Sequence, residues 1–218
     1  MKPEIIKFDN GIYQIDVMME GKPNRMSCYY IDSKDPILIE VGPSNSFPYL
    51  VAGLNSLGIE GVRRSAITHL HLDHVGGIGH VVEKYKDHFV HIHELGLKHL
   101  PNPEKLWKSV SSIYTEEWLS ENWGKIKPTP IDNIQALTDG YNFKLEEGRT
   151  LTSLYSPGHA KHHYTFIVLS IFISIMRTIS IITDGLSVTL FTVLAYPPEF
   201  LGAPILFYIK KMIQKQII

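Results

Sequence analysis

Between Thr68 and Gly77 the chain reads Thr-His-Leu-His-Leu-Asp-His-Val-Gly-Gly, which puts three imidazoles and one carboxylate into positions 69 to 74. Polar groups and charges are costly to bury unless they are paired. Neutral imidazole and ionised carboxylate are, however, ordinary ligands of zinc and other divalent transition metals. The stretch therefore reads as half of a metal site, and any fold adopted by this chain must bring the other half to it. His69 and His71 are two apart, so an extended backbone projects both to one side, and Asp73 and His74 follow at the turn into a helix. Gly76 and Gly77 allow backbone to pass close to a bound ion or ligand.

The flanking sequence supplies a frame of alternating strands and helices. Ile12 to Met19 and Met26 to Ile31 are rich in β-branched and aromatic residues around the turn Glu20-Gly21-Lys22-Pro23-Asn24, and Ile37 to Ile39 is a short apolar run. Tyr49, Leu50, Gly53, Leu54 and Leu57 recur at helical spacing before Gly58. Ser65 to Thr68 reads as a strand that delivers the chain into the histidines. Ile78, Val81, Val82 and Tyr85 form a helical face, and Phe89 to His93 alternates as a strand. Strand, helix, strand again implies α/β layers. All three tryptophans, Trp107, Trp118 and Trp123, fall within residues 101–130, which read as a helical insertion bounded by proline; the alternatives are a cover over a site or a packed helical layer. Leu145 to Arg149 reads as a tight turn between short strands, and Leu151 to Tyr155 leads into Ser156-Pro157-Gly158-His159-Ala160-Lys161-His162-His163.

Beyond this point the chain is apolar. A membrane-spanning helix needs about 20 apolar residues with few or no charges. Arg177 interrupts Tyr164 to Ile182, and the β-branched content favours two buried strands, Phe166–Ile175 and Ile179–Thr183. Val188 to Ala195 reads as a further strand and Leu206 to Ile217 as a final amphipathic helix. The 218 residues, with Lys+Arg 21 against Asp+Glu 22, suit a single domain with no basic footprint for nucleic acid or an anionic membrane. Cys28 is the sole cysteine, so neither an intrachain disulfide nor a thiolate cluster is available. With charges at Lys2, Glu4, Lys7 and Asp9 in place of an export signal, the expectation is a cytoplasmic protein.

Three separated elements offer ligands: the His69/His71/Asp73/His74 stretch, His159 and Asp184. The pattern T-H-x-H-x-D-H-x-G-G, followed by S-P-G-H and by T-D-G after an apolar strand, resembles the metallo-β-lactamase superfamily from about Ile12 to about Ala195. The resemblance implies an α/β fold, a four-layer αβ/βα sandwich whose C-terminal part is short here. It makes His69, His71 and His159 the ligands of a first metal and Asp73, His74 and Asp184 those of a second, with Asp184 bridging. Two divalent ions are implied, zinc first with iron or manganese as alternatives. The implied chemistry is hydrolysis by water activated between the cations, with Asp73 orienting it or passing on its proton.

Two departures stand out. No histidine follows His163, where the family usually supplies a further second-metal ligand, so the second site is expected to be the weaker. Glu40-Val41-Gly42 stands where members commonly carry Asp-x-Gly. His163 falls at a position suited to supporting a ligand; His80, His88, His91, His93 and His99 read as surface or strand residues, and Lys161 as solvated. A small thioester, ester or lactone is the expected substrate, with the Trp107–Trp123 segment shaping its pocket. Phosphodiester hydrolysis on the same site is the alternative, as is an inactive metal-binding module whose Phe191, Leu194, Leu206 and Phe207 drive homodimerisation. No membrane or nucleic-acid partner is expected.

Overall fold

The computed structural model describes residues 2–8, 11–171 and 186–191. A first sheet has seven strands in chain order: β1 (Ile5–Phe8), β2 (Ile12–Asp16), β3 (Ser27–Ile31), β4 (Ile37–Ile39), β5 (Arg64–Ala66), β6 (Phe89–Ile92) and β7 (Ile134–Ala136). β1 to β4 form an antiparallel meander, whereas β4 to β7 are parallel. Parallel neighbours require crossover connections, and helices provide them here. α1 (Phe47–Ser56) links β4 to β5. α2 (Leu72–Val75) and α3 (Ile78–Lys84) link β5 to β6, and α4 (Leu95–His99), α5 (Glu104–Ser111) and α6 (Glu116–Asn122) link β6 to β7.

A second, antiparallel sheet contains β8 (Asn142–Lys144), β9 (Thr150–Tyr155), β10 (Tyr164–Ile171) and β11 (Leu186–Phe191) in the order β11-β10-β9-β8. The two-residue period of the strands divides the apolar residues between two cores. In β4, Ile37 and Ile39 face the second sheet and pack with Phe143, Leu151, Phe166 and Val168. Leu38 faces the other way and joins Leu50, Leu54, Val75, Ile78 and Val81 from the helices. The result is a helix layer, a mixed sheet and a second sheet, in agreement with the expected α/β sandwich. The expected strand Ile179–Thr183 and helix Leu206–Ile217 lie outside the described residues, as does Asp184.

α1 shows how local sequence places these layers. Pro48 starts it, Leu50, Gly53 and Leu54 form its buried face, and Gly58, with a φ of 73°, follows its end. A Cβ on Gly53 would lie 2.4 Å from Ile15 Cγ2, so glycine sets how closely α1 approaches β2. All three tryptophans meet the helix-side core: Trp107 is buried in it, and Trp118 and Trp123 pack half-buried against it. In the 101–130 region, α5 and α6 thus pack their tryptophan-bearing faces against that core. The region is tied to the first sheet's crossover loop, where Asn45 N donates to the Trp123 carbonyl (2.8 Å) and Ser44 Oγ to those of Gly76 (2.8 Å) and Lys125 (3.0 Å).

Several elements depart from the sequence reading. β1 and β7 have no counterpart in it, and β5 ends at Ala66 instead of Thr68. Residues 67–71 therefore form a loop at the carboxyl end of a parallel strand, the usual place for a ligand site in such sheets. Among the described residues no helix is long and apolar enough to cross a membrane.

Candidate metal centre

The loop after β5 carries His69 and His71, and α2 follows at once with Asp73 and His74. His71 has extended backbone, with φ −72° and ψ 144°, so the chain enters the helix directly behind the second histidine. The other contributor is the segment between β9 and β10, which presents His159, His162 and His163. One histidine nitrogen from each of His69, His71 and His159 lies within 4.8 Å of the other two. His159 Nε2 is 3.1 Å from His71 Nδ1, and the His69 and His71 rings are 4.4 Å apart.

The loop is held by hydrogen bonds on both sides. Thr68 N donates to Glu40 Oε1 at 2.8 Å, and Tyr164 N donates to the Thr68 carbonyl at 2.8 Å. His69 Nδ1 is 2.8 Å from Thr68 Oγ1, which fixes the ring and leaves Nε2 to face the cluster. That Nε2 is buried and has no hydrogen-bond partner among the described residues. A buried unpartnered ring nitrogen facing two further imidazoles fits a cation ligand. By donor chemistry and placement, His69, His71 and His159 suit one divalent ion.

His74 extends the cluster, with its ring 4.1 Å from that of His69 and its Nε2 3.4 Å from Asp73 Oδ2. Its Nδ1 is 3.2 Å from Glu40 Oε2. Glu40 is fully buried and has left-handed backbone, φ 66°, a conformation that costs a non-glycine residue about 1–3 kcal/mol. Its two oxygens engage Thr68 N–H and the His74 ring, so one carboxylate orients both ends of the motif. Glutamate, standing where family members commonly carry aspartate, thus reaches both groups. Asp73 and His74 lie beside this cluster; Asp184, their expected companion, lies outside the described residues.

The electrostatics favour the neutral imidazole at His69 and His71. Burial first, and then the facing rings of His74, His71, His163 and His159, push the His69 pKa far below its ordinary value. Burial and His159 lower that of His71, against the pull of Asp73. Burial also opposes protonation of His74, yet Glu40, by charge and hydrogen bond, and Asp73 together raise its pKa. His162 and His163 are each pushed down to about 4, chiefly by burial. Neutral imidazole is the form that binds a cation.

His163 bonds to Ser156 Oγ through Nδ1 (2.9 Å), and its ring sits 5.2 Å from that of His69, as befits a residue packed behind a ligand. His93, read as a strand residue, instead follows β6 and joins the rim, 6.2 Å from the His162 ring and 5.9 Å from both Tyr155 and Tyr164. His88 and His91 are buried away from the centre, His88 bonding to the Val62 carbonyl and Ser65 Oγ and His91 to the Ser65 carbonyl. Lys161 is exposed. The parts played by Tyr164 and His162 have no local signal in the sequence, because their bonds to the Thr68 carbonyl and Leu70 N run between the two sheets.

Comparison with known proteins bears on the fold and the family. A subclass B3 metallo-beta-lactamase from a soil metagenome library is 26% identical, with a TM-score of 0.57 over 78% of this chain and 58% of that one. A metallo-beta-lactamase superfamily protein of the archaeon Sulfolobus tokodaii is 24% identical, with a TM-score of 0.59 over 73% of this chain and 60% of that one. A motif mutant of the Cronobacter sakazakii metallo-beta-lactamase is 20% identical, with a TM-score of 0.57 over 77% and 59%. This chain thus spans 58–60% of the length of these structures. Comparison with curated protein sequences gave no match. The sequence profile of the metallo-beta-lactamase superfamily matches residues 22–169, a span that carries the His69–Gly77 motif and His159, and the chain belongs to that superfamily.

Proposed function

We propose that this chain is a metal-dependent hydrolase acting on a small thioester, ester or lactone. The observation that carries the reading is the buried, unpartnered Nε2 of His69 within the His69/His71/His159 cluster, with Asp73 and His74 alongside. His69, His71 and His159 would hold a first ion, zinc being the best match to an imidazole set. Asp73 and His74 would hold a second, with Asp184 as their bridging companion. Bound divalent ions lower the pKa of water and polarise an electrophilic oxygen. Asp73, whose side chain is 23% exposed, is the one carboxylate of the motif open enough to take a proton from an attacking water and return it to a leaving group. Glu40 is enclosed and already engaged, so its part is to hold His74.

The surroundings support this substrate class. Tyr155, His93 and His162 line the rim with aromatic and polar surface, and a formal net charge of −1 offers no basic groove for nucleic acid. The reading includes cytoplasmic residence, no membrane partner and a homodimer. Metal analysis of the purified chain tests it first, with two equivalents expected and none bound in metal-replete buffer refuting it. A panel of thioester, lactone, β-lactam and bis(p-nitrophenyl) phosphate substrates then assigns the bond cleaved. Turnover of the phosphodiester alone would replace the ester reading, and H71A should lose both metal and turnover.

A further inference from the structure

We infer that His162 is a positioning residue: through Nδ1 it fixes the backbone between the ligands His69 and His71 and thereby sets the affinity of the metal centre. The inference rests on the proposed metal site. β5 ends at Ala66, so Leu70 has no strand neighbour, yet it is 3% exposed and its N–H needs an acceptor. His162 Nδ1 supplies one at 3.2 Å, across 92 residues of sequence. Together with the Tyr164 N to Thr68 carbonyl bond at 2.8 Å, it ties the ligand loop of the first sheet to the entry of β10 in the second. The second sheet also delivers His159, so the same bond keeps the two ligand sources in register.

The bond also defines the state of the ring. An Nδ1 that accepts from an N–H is unprotonated, and in a neutral imidazole the proton is then on Nε2. With one nitrogen engaged and the other protonated, His162 is not a ligand in this arrangement, although its ring is only 5.8 Å from that of His71. Removing the acceptor leaves a buried N–H unsatisfied midway between two ligands. The least costly relaxation is a turn of the 69–71 backbone, which moves both imidazoles. Partners of metal ligands typically change affinity by about 10–100-fold when removed.

The test uses H162L, H162N and H162Q on the full chain, with zinc affinity from competition against a chelating dye and exchange of the Leu70 amide followed by NMR without metal. Asn can place Oδ1 near the Nδ1 position, whereas Gln carries its oxygen one bond further. H162L and H162Q should bind zinc more weakly by about 10-fold or more, and their Leu70 amide should exchange faster by about tenfold. H162N should restore both. If H162L does not fold, the Asn and Gln pair carries the comparison. Unchanged Leu70 exchange in the Leu or Gln variant, unchanged zinc affinity despite faster exchange, or an Asn variant as impaired as Gln each overturns the inference. Equal zinc binding by the unmodified chain and H71A refutes the metal site instead, and the exchange arm still judges the bond.

Discussion

Acidification should destabilise the fold through His88, a residue remote from the metal centre. His88 has 0% exposure, its Nδ1 is 2.8 Å from the Val62 carbonyl, and its Nε2 is 2.9 Å from Ser65 Oγ. The carbonyl can only accept, so Nδ1 carries the proton and the serine hydroxyl donates to Nε2. Protonating Nε2 reverses that hydrogen bond and places a full charge in the core. Burial accordingly pushes the His88 pKa from 6.5 down to about 4, with the Val62 bond opposing in part and His91 adding to the fall. Because the folded pKa is depressed, the unfolded chain takes up the proton first. Stability is complete above about pH 6.5 and falls between about 6.5 and 4, where the loss levels off. Each tenfold change in proton affinity is worth about 1.4 kcal/mol, so the loss assigned to this residue is about 3 kcal/mol. Urea unfolding of the unmodified chain and of H88Q, at half-unit steps from pH 7.5 to 4 in the same metal-free buffer, isolates it as a difference. His162 and His163 are also lowered and contribute equally to both proteins, whereas the interaction of His91 with His88 is part of the difference. Parallel stability curves for the two proteins across the window would refute the reasoning, whatever the absolute stability of the variant.

Other consequences are simpler to state. E40Q keeps the shape and the acceptor for Thr68 N–H but removes the charge beside His74, so zinc affinity should fall by about 10–100-fold in a chelator competition, with the secondary structure by circular dichroism retained. G79A places a methyl group 2.5 Å from the Lys127 carbonyl oxygen, which is backbone and cannot swing aside, so the urea midpoint should drop by the equivalent of about 1–3 kcal/mol. T115A removes the hydroxyl that accepts from Trp118 N at the start of α6 and should cost about 1 kcal/mol in the same assay.

The legible part of the molecule was the part written in consecutive residues. The His69–Gly77 motif and the Ser156-Pro157-Gly158-His159 turn are dense local patterns, and the structure brings His69, His71 and His159 together as the family resemblance implied. α1 and α3 were legible because their apolar residues recur at helical spacing. β7 was not, since three residues cannot display a period, and β1 is an edge strand whose Ile6 and Phe8 are 44% and 36% exposed. His88 and His91 read as ordinary polar positions because the groups that permit their burial, Val62, Ser65 and their carbonyls, are 23 to 26 residues away. The same holds for His162, whose partner is 92 residues away. A strand repeats its environment every second residue, whereas a bond between sheets leaves no repeat to read.

The distance between ligands along the chain also bears on how the protein reaches its native state. His71 and His159 are 88 residues apart in sequence, and all of the strands β6 to β9 lie in between. No cation can find all three imidazoles until both sheets have formed and met. A metal ion captured there would bind the folded chain and leave the unfolded chain, whose three imidazoles are far apart, unliganded. It would favour only the finished molecule, by about 2.7 kcal/mol at a hundredfold excess over its dissociation constant. Metal uptake is thus a late-acquired property of the chain, and its rate after dilution from denaturant would time the docking of one sheet on the other.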